Sequence, residues 1–141
     1  MLVQCLIKVS DMFMMKNTNE VSTFGSEVKV FLEQNDIRAL ADINLIGKSK
    51  LSTKFDFGIG KSLKASERLI KVRNGLDLST TKNIIFSWED TKEVREESSL
   101  FVFLNDREKS INMSHINGLS EYGIHSCLWS KRNEYIEILS A

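Results

Sequence analysis

The back half of the chain contains five consecutive apolar residues, Leu100 to Leu104, with no polar residue between them. A strand with one solvated face alternates apolar and polar residues, so a continuous apolar run predicts a strand that is covered on both faces. Such strands are typical of parallel sheets that carry helices on each side. The alternation of predicted strands and helices after residue 83 therefore favours an α/β fold with right-handed crossovers.

A second apolar run, Ile84 to Phe86, is interpreted as the central strand of this sheet. It combines β-branched and aromatic residues and leads directly into a charged cluster. Because open α/β sheets usually bind ligands beyond the carboxyl ends of their strands, we expect a candidate site at this exit. The candidate residues there are Trp88, Asp90 and Arg95.

The remaining elements complete a single α/β domain over residues 1–141. Its sheet is predicted to be mixed, with about five strands and helices on both faces. An antiparallel hairpin is predicted over about 37–46 and 53–59, followed by a helix over 65–74. The other predicted elements are helices over 1–15, 22–35 and 113–122, a strand over 124–129 and a last helix after Ser130. The first helix begins without a cap, as if a domain preceded it.

The charges of the chain are unevenly distributed although the formal net charge is zero. Basic residues are concentrated between positions 48 and 73, and acidic residues between 89 and 97. Clustered lysines and arginines are the electrostatic footprint of nucleic-acid binding. We therefore predict a nucleic-acid contact through the basic hairpin and the following helix. Its candidate residues are Lys48, Lys50, Lys61, Lys64 and Arg68.

Several classes of protein are disfavoured by the sequence. Two cysteines, Cys5 and Cys127, are too few for a disulfide framework, and the two histidines lack the paired spacings of a zinc site. The apolar N-terminal segment lacks the basic start and the cleavage site of a signal peptide. No apolar run is long enough to span a membrane. We expect a cytoplasmic protein without a membrane partner.

Several short motifs follow one another along the chain: Gly47-Lys48-Ser49, Phe55-Asp56-Phe57, Glu67 to Lys71, Phe86 to Thr91, Leu104-Asn105-Asp106 and Leu128-Trp129-Ser130. In this order they resemble an uncharacterised family of bacterial and prophage proteins of unknown function. The resemblance covers nearly the whole chain from about residue 20. In that family a further domain usually precedes this one, and a glycine usually stands at the position of Lys50.

The order of the predicted elements also resembles the core of the restriction-endonuclease-like nucleases. That resemblance implies an Asp on the second strand and a Glu-x-Lys on the third, which hold Mg²⁺ or Mn²⁺ and the attacking water. Asp56 matches the first position, but the segment 60–64 contains no acid. Glu67 and Lys71, one turn apart on the predicted helix, are candidates to replace the missing motif. The implied catalytic set is Asp56, Glu67 and Lys71, with the metal held by Asp56 and Glu67.

Two functions remain open. One is a nuclease-like domain, active or decayed, that contacts nucleic acid. The other is a non-catalytic module, such as an inhibitor, which binds a protein partner or forms a homodimer through the apolar face of the first helix. Convergence of the three catalytic candidates would favour the first. These candidates also have structural interpretations: Asp56 as the exposed face of a strand, Glu67 and Lys71 as a surface ion pair, Asp90 as a solvated strand end or a helix cap, and Trp88 as a core residue.

Overall fold

The computed structural model describes residues 20–95, 97–107 and 109–141, with side chains from residue 24 onward. The predicted helix over 1–15 lies outside these residues. The described elements, in chain order, are α1 (Glu20–Gln34), β1 (Leu40–Ile46), β2 (Ser52–Ile59), β3 (Arg68–Arg73), α2 (Leu78–Lys92), β4 (Ser99–Leu104), α3 (Met113–Glu121), β5 (His125–Leu128), a 3-10 helix (Trp129–Tyr135) and α4 (Ile136–Ser140).

The five strands form one sheet in the order β1-β2-β3-β4-β5. The pairs β1–β2 and β2–β3 are antiparallel, whereas β3–β4 and β4–β5 are parallel. Helix α2 connects β3 to β4, and α3 connects β4 to β5, so the second half consists of two β-α-β units. The predicted fold class, a single α/β domain with a mixed five-stranded sheet and helices on both faces, is confirmed.

The helices and the sheet enclose two apolar cores on opposite faces. One lies under α1 and α4, and the other lies under α2 and α3. On β4, Phe101 and Phe103 belong to the first core. Leu100, Val102 and Leu104 belong to the second. The continuous apolar run therefore forms a strand that is covered on both faces, as predicted.

The predicted central strand at Ile84 to Phe86 is wrong, because these residues lie within α2. Asp77 caps this helix by accepting a hydrogen bond from the Thr80 amide at 2.6 Å. Ile84 is buried whereas Phe86 is 60% exposed, so the apolar run is one helical turn with two different surroundings. No strand therefore ends at Phe86, and the candidate site predicted beyond the carboxyl end of such a strand is wrong.

The predicted helix over 65–74 is also wrong, because this segment contains β3. The strand lies between β2 and β4, and all of its residues from Arg68 to Val72 are buried. A short apolar run does not by itself distinguish a strand from a buried helical segment. The sheet has the predicted five strands, but its third strand is β3 and not the segment at Ile84 to Phe86.

The apolar side chains of β2 switch from one core to the other at Asp56. Residues two apart on a regular strand share one face, yet Phe55 packs in the second core and Phe57 in the first. On the opposite strand, Asp42 has a φ of 55°, which interrupts the extended backbone. A Cβ atom at Gly58 would overlap Ile43 Cδ1, so a larger residue here would require the end of the Ile43 side chain to move.

Within the described residues, no helix has both the length and the apolar character needed to cross a bilayer.

Candidate functional site

The turn between β1 and β2 is held against the end of α2 by Asp90. Ser49 donates hydrogen bonds from its backbone N and its Oγ to the Asp90 carboxylate, both at 2.7 Å. The Lys48 amide donates to the Asp90 backbone oxygen at 3.1 Å. A Cβ atom at Gly47 would overlap the same carboxylate. We call this contact the turn clamp, and it joins two of the sequence motifs.

A similar contact joins the ends of β4 and β5. Ser130 donates from its backbone N to Asp106 Oδ1 at 3.0 Å and from its Oγ to Asp106 Oδ2 at 2.5 Å. Burial acts to raise the pKa of Asp106, but the hydrogen bonds from Ser130 outweigh it and hold the pKa below its ordinary value. The last two motifs of the chain are therefore also partners in one structural contact.

Glu67 lies in the loop before β3 and binds Arg95 and Ser98. Arg95 donates from Nε and Nη2 to the two carboxylate oxygens at 2.8 and 2.7 Å, and Ser98 Oγ donates to Oε1 at 2.7 Å. The bond from Arg95 lowers the pKa of Glu67 below its ordinary value, against the smaller opposing effect of burial. Two residues predicted for different sites are thus partners in one bidentate ion pair.

Arg68 is 2% exposed and holds the C-terminal helix against the sheet. Its Nη1 donates to the carbonyl oxygens of Ile138, Leu139 and Ala141 at 2.8, 3.2 and 3.0 Å. Its Nη2 donates to the carbonyl oxygen of Gly60 at 3.0 Å. The predicted contact between Arg68 and nucleic acid does not fit this position, because the guanidinium group faces the interior.

Lys71 lies in the middle of β3 and is 4% exposed. Its Nζ atom is 5.2 Å from the centroid of the Phe55 ring, and no hydrogen bond or ion pair joins it to another described residue. Burial lowers the pKa of Lys71 to about 8, with a further lowering by Arg73 and a partial opposition from Asp56. Lys71 is therefore not the exposed partner of Glu67 on a helix that the sequence predicted.

Asp56 supports the junction of β2 and β3. Its Oδ2 atom accepts a hydrogen bond from the Val72 backbone N at 2.8 Å and lies 3.4 Å from Arg73 Nη1. Glu67 and Val72 are five residues apart along an extended segment, which separates them by about 16 Å. The structure therefore places Asp56 beside Lys71 and Arg73, and Glu67 beside Arg95. No group of three or more acidic, His or Cys side chains in the described ranges is arranged to hold a metal.

Of the remaining predicted site residues, Trp88 is buried and the four lysines are exposed. Trp88 is 2% exposed and packs in the second core. The lysines of the turn and of the loop before β3 are exposed. Lys50 has a φ of 72°, the left-handed conformation that favours glycine. Lys61 lies 3.5 Å from Glu97 in an exposed ion pair.

A surface that sequence reasoning missed lies between α2 and α3. It is an apolar groove of about 620 Å³. The predicted strand at Ile84 to Phe86 gives no sign of this groove, because it is the helix α2 that leaves Phe86 exposed. The groove is lined mainly by Leu78, Ile85, Phe86, Gly118, His115 and Tyr122.

Comparison with known proteins identifies a family but no activity. The family described as "Domain of unknown function DUF1829" matches residues 47–132, more than half of the chain, and the chain belongs to this family. A comparison with curated proteins gives no match. The fold is similar to the crystal structure of a protein of unknown function, AF1548, with a TM-score of 0.59 and 14% identity. The similarity covers 75% of this chain and 56% of that one, and at this identity it concerns the fold alone.

Proposed function

We propose that this DUF1829 domain is a nuclease-like domain without a catalytic metal, which contacts nucleic acid through the exposed lysines of the β1–β2 turn and of the loop before β3. The observation that carries the proposal is the charge of the segment 47–66. Its only acid is Asp56, and Asp56 is engaged by the Val72 amide and Arg73. Its five lysines are all exposed: Lys48, Lys50, Lys54, Lys61 and Lys64.

Three of these lysines are available without breaking another contact. Lys48, Lys50 and Lys64 form no ion pair with a described residue, whereas Lys54 pairs with Asp42 and Lys61 with Glu97. The two ion pairs are exposed, so each contributes at most about 1 kcal/mol and can be exchanged for a phosphate contact. Asp90 lies at the same turn, but its carboxylate is bonded to Ser49.

The order of the elements supports the nuclease-like part of the proposal. A helix, three antiparallel strands, a helix and a parallel strand follow one another from α1 to β4. In the nuclease core that this order resembles, the acid and the lysine of the metal motif stand on the third strand. Here the third strand is β3, where Lys71 occupies the lysine position and Leu69, 1% exposed, stands two residues before it in place of the acid.

The missing acid explains why we propose binding without catalysis. With Leu69 at that position, Asp56 is left without a second carboxylate to share a divalent ion, since Glu67 is bonded to Arg95 instead. The buried ammonium group of Lys71 is also poorly placed to reach a scissile phosphate. A cation surface of lysines can nevertheless bind a phosphate backbone without reading its sequence.

Fluorescence titration of a short labelled duplex and of a single strand tests this proposal. Binding to at least one of them should weaken with salt, by a slope of about −0.9 per phosphate contact for a duplex and about −0.7 for a single strand. Chelation of divalent ions should leave the affinity unchanged. The double variant Lys50→Glu/Lys64→Glu should weaken binding by at least about tenfold at low salt, because it reverses two phosphate contacts.

The matched control is Lys29→Glu/Lys131→Glu, which changes net charge equally at exposed positions of α1 and the 3-10 helix. It should weaken binding by much less. Equal loss in the two variants would mean that only net charge is sensed. Absence of binding to both nucleic acids would reject the proposal in favour of a protein partner, and cleavage that requires Mg²⁺ or Mn²⁺ would reject its non-catalytic part.

A further inference from the structure

The groove between α2 and α3 exposes large apolar side chains to water. Leu78, Phe86 and Tyr122 are 59%, 60% and 46% exposed, and all three line the groove. Ile85, which is half-buried, lines it as well. A contiguous apolar surface of this kind is typical of a site that another protein surface covers.

The groove also contains one basic and one acidic residue, and both belong to α2. Lys82 and Glu89 are seven residues apart, which is about two helical turns, so they lie on the same face of the helix and about 10 Å apart along it. This distance is too long for an ion pair within one molecule. Glu89 pairs instead with Lys92 at 3.3 Å, and Lys82 forms no ion pair with another described residue.

These two charges are self-complementary about the middle of α2. The midpoint between Lys82 and Glu89 falls between Ile85 and Phe86. A second copy of α2 that crosses this point in the antiparallel direction places its own Glu89 opposite Lys82, and its own Lys82 opposite Glu89. A twofold axis at this point therefore creates two identical ion pairs, as an isologous interface requires. Opposite charges placed in this way fix the register of the two helices.

Tyr122, at the end of α3, lies near the same axis. Helices α2 and α3 each connect two parallel strands of one sheet, so they run in the same direction. Their starts are level, because His115 Nδ1 lies 3.2 Å from the Leu76 carbonyl oxygen. Tyr122 is seven residues beyond His115 and Phe86 is ten beyond Leu76, so their heights differ by about 4 Å. The two exposed aromatic side chains therefore meet their copies at the centre of the interface, where binding energy is concentrated.

The size of this face sets the expected strength of the contact. Helix α2 has 15 residues and is about 22 Å long, and two neighbouring helices are about 20 Å wide. The face therefore covers about 440 Å² per molecule, whereas a standard stable interface buries about 800 Å² per partner. We expect a weak dimer, with a dissociation constant of about 10–300 μM.

We propose that the face formed by α2 and α3 binds a second copy of this chain in a twofold-symmetric dimer. Phe86 and Tyr122 lie at its centre, and Lys82 of each molecule pairs with Glu89 of the other. A second copy fits better than an unrelated protein, because the face already supplies both halves of its own charge pattern. The dimer leaves the lysine surface accessible, since none of the exposed lysines of the segment 47–66 lines the groove.

Charge reversal followed by sedimentation velocity tests the pairing. The parent should show a monomer–dimer equilibrium over about 5–500 μM, a range that brackets the expected dissociation constant. Lys82→Glu and Glu89→Lys should each weaken self-association at least about tenfold, because each places two pairs of like charges at the interface. An equimolar mixture of these two variants should regain about the affinity of the parent, because one molecule then presents two acids and the other two bases. Lys29→Glu, at an exposed position of α1 on the other face of the sheet, is the matched control and should leave the affinity within about twofold of the parent.

Truncation of the central aromatic residue tests the apolar part of the contact. Phe86→Ala should weaken self-association at least about tenfold, whereas Val30→Ala, at a 49% exposed position of α1, should not change it. Circular dichroism establishes that each variant is folded. A chain that stays monomeric up to about 500 μM, above the range expected for an interface of this size, would overturn the proposal. A dimer that neither charge reversal nor Phe86→Ala weakens, or a mixture that associates no better than its two components alone, would also overturn it.

Discussion

The turn clamp predicts that Gly47→Ala destabilises the fold. A Cβ atom at this position overlaps the Asp90 carboxylate and lies 3.0 Å from the Asp90 backbone oxygen, so the turn or the carboxylate must move. Movement disrupts the two hydrogen bonds from Ser49. Overpacking of this kind costs about 1–3 kcal/mol, and we expect about 2 kcal/mol here because the turn is partly exposed. In a urea titration this lowers the midpoint by about 1 M.

Gly75→Ala is the control for this prediction. No atom lies within 4 Å of the added Cβ, and Gly75 does not have a positive φ. Its free energy of unfolding should therefore stay within about 0.5 kcal/mol of the parent, or rise slightly. In an Asp90→Ala background, Gly47→Ala should cost less by about 1 kcal/mol, because the overlapping carboxylate is gone. Equal costs in the two backgrounds, or equal effects of the two glycine substitutions, would refute the clamp.

Three further predictions concern charged residues in and next to β3, namely Glu67, Arg68 and Lys71. Arg68→Met should lower the free energy of unfolding by about 3 kcal/mol in a urea titration, because four carbonyl oxygens lose their donor. The pKa of Glu67 in the folded chain is below its ordinary value of 4.5, so the stabilisation by its carboxylate is lost as the pH falls through that lowered pKa. Glu67→Gln should therefore lose less stability than the parent when the pH is lowered below 4.5. Lys71→Met should stabilise the fold at neutral pH, because it removes a buried ammonium group. It should also remove a rise of stability with pH between about pH 8, the pKa of Lys71 in the folded chain, and its ordinary pKa of 10.5. In that range the unfolded chain binds a proton at Lys71 that the folded chain has lost. Thermal unfolding at a series of pH values measures the last two effects.

Sequence patterns sufficed for the elements whose apolar period is regular. Leu100 to Leu104 is buried on both faces without interruption. This single run of residues therefore specifies β4 and the presence of a packed layer on each face of it. The hairpin and α3 were also located within a few residues, because a turn and a cap mark their limits. In these segments the local pattern and the tertiary packing agree.

The exchange of β3 and α2 has a physical cause in each segment. In β3, the buried Lys71 interrupts an apolar run and makes it resemble one face of an amphipathic helix. In α2, Thr81 and Thr91 occupy buried positions and donate their hydroxyl hydrogens to the carbonyl oxygens of Asp77 and Ser87 at 2.7 and 2.8 Å. These threonines are buried because their hydroxyl groups bond within the helix. They stand at positions where a helix would normally carry apolar residues, so the helical repeat of apolar residues is not visible in the sequence.

The role of the motif carboxylates could not be predicted because their partners are remote in sequence. Asp90 binds a serine 41 residues away, Asp106 one 24 residues away, and Glu67 one 31 residues away. A carboxylate that fixes a loop and one that binds a metal have the same local sequence requirements. Only the placement of Ser49, Ser130 and Ser98 distinguishes the two roles.

The most direct test of the proposed function is an NMR titration of isotope-labelled protein with a short oligonucleotide, with and without a chelator of divalent ions. We predict that the largest amide shift changes fall in residues 47–51 and 60–64, and that the chelator does not alter them. Changes confined to the groove between α2 and α3, changes around Asp56 and Glu67 that require Mg²⁺ or Mn²⁺, or no changes at all would contradict metal-independent nucleic-acid binding by the lysine surface.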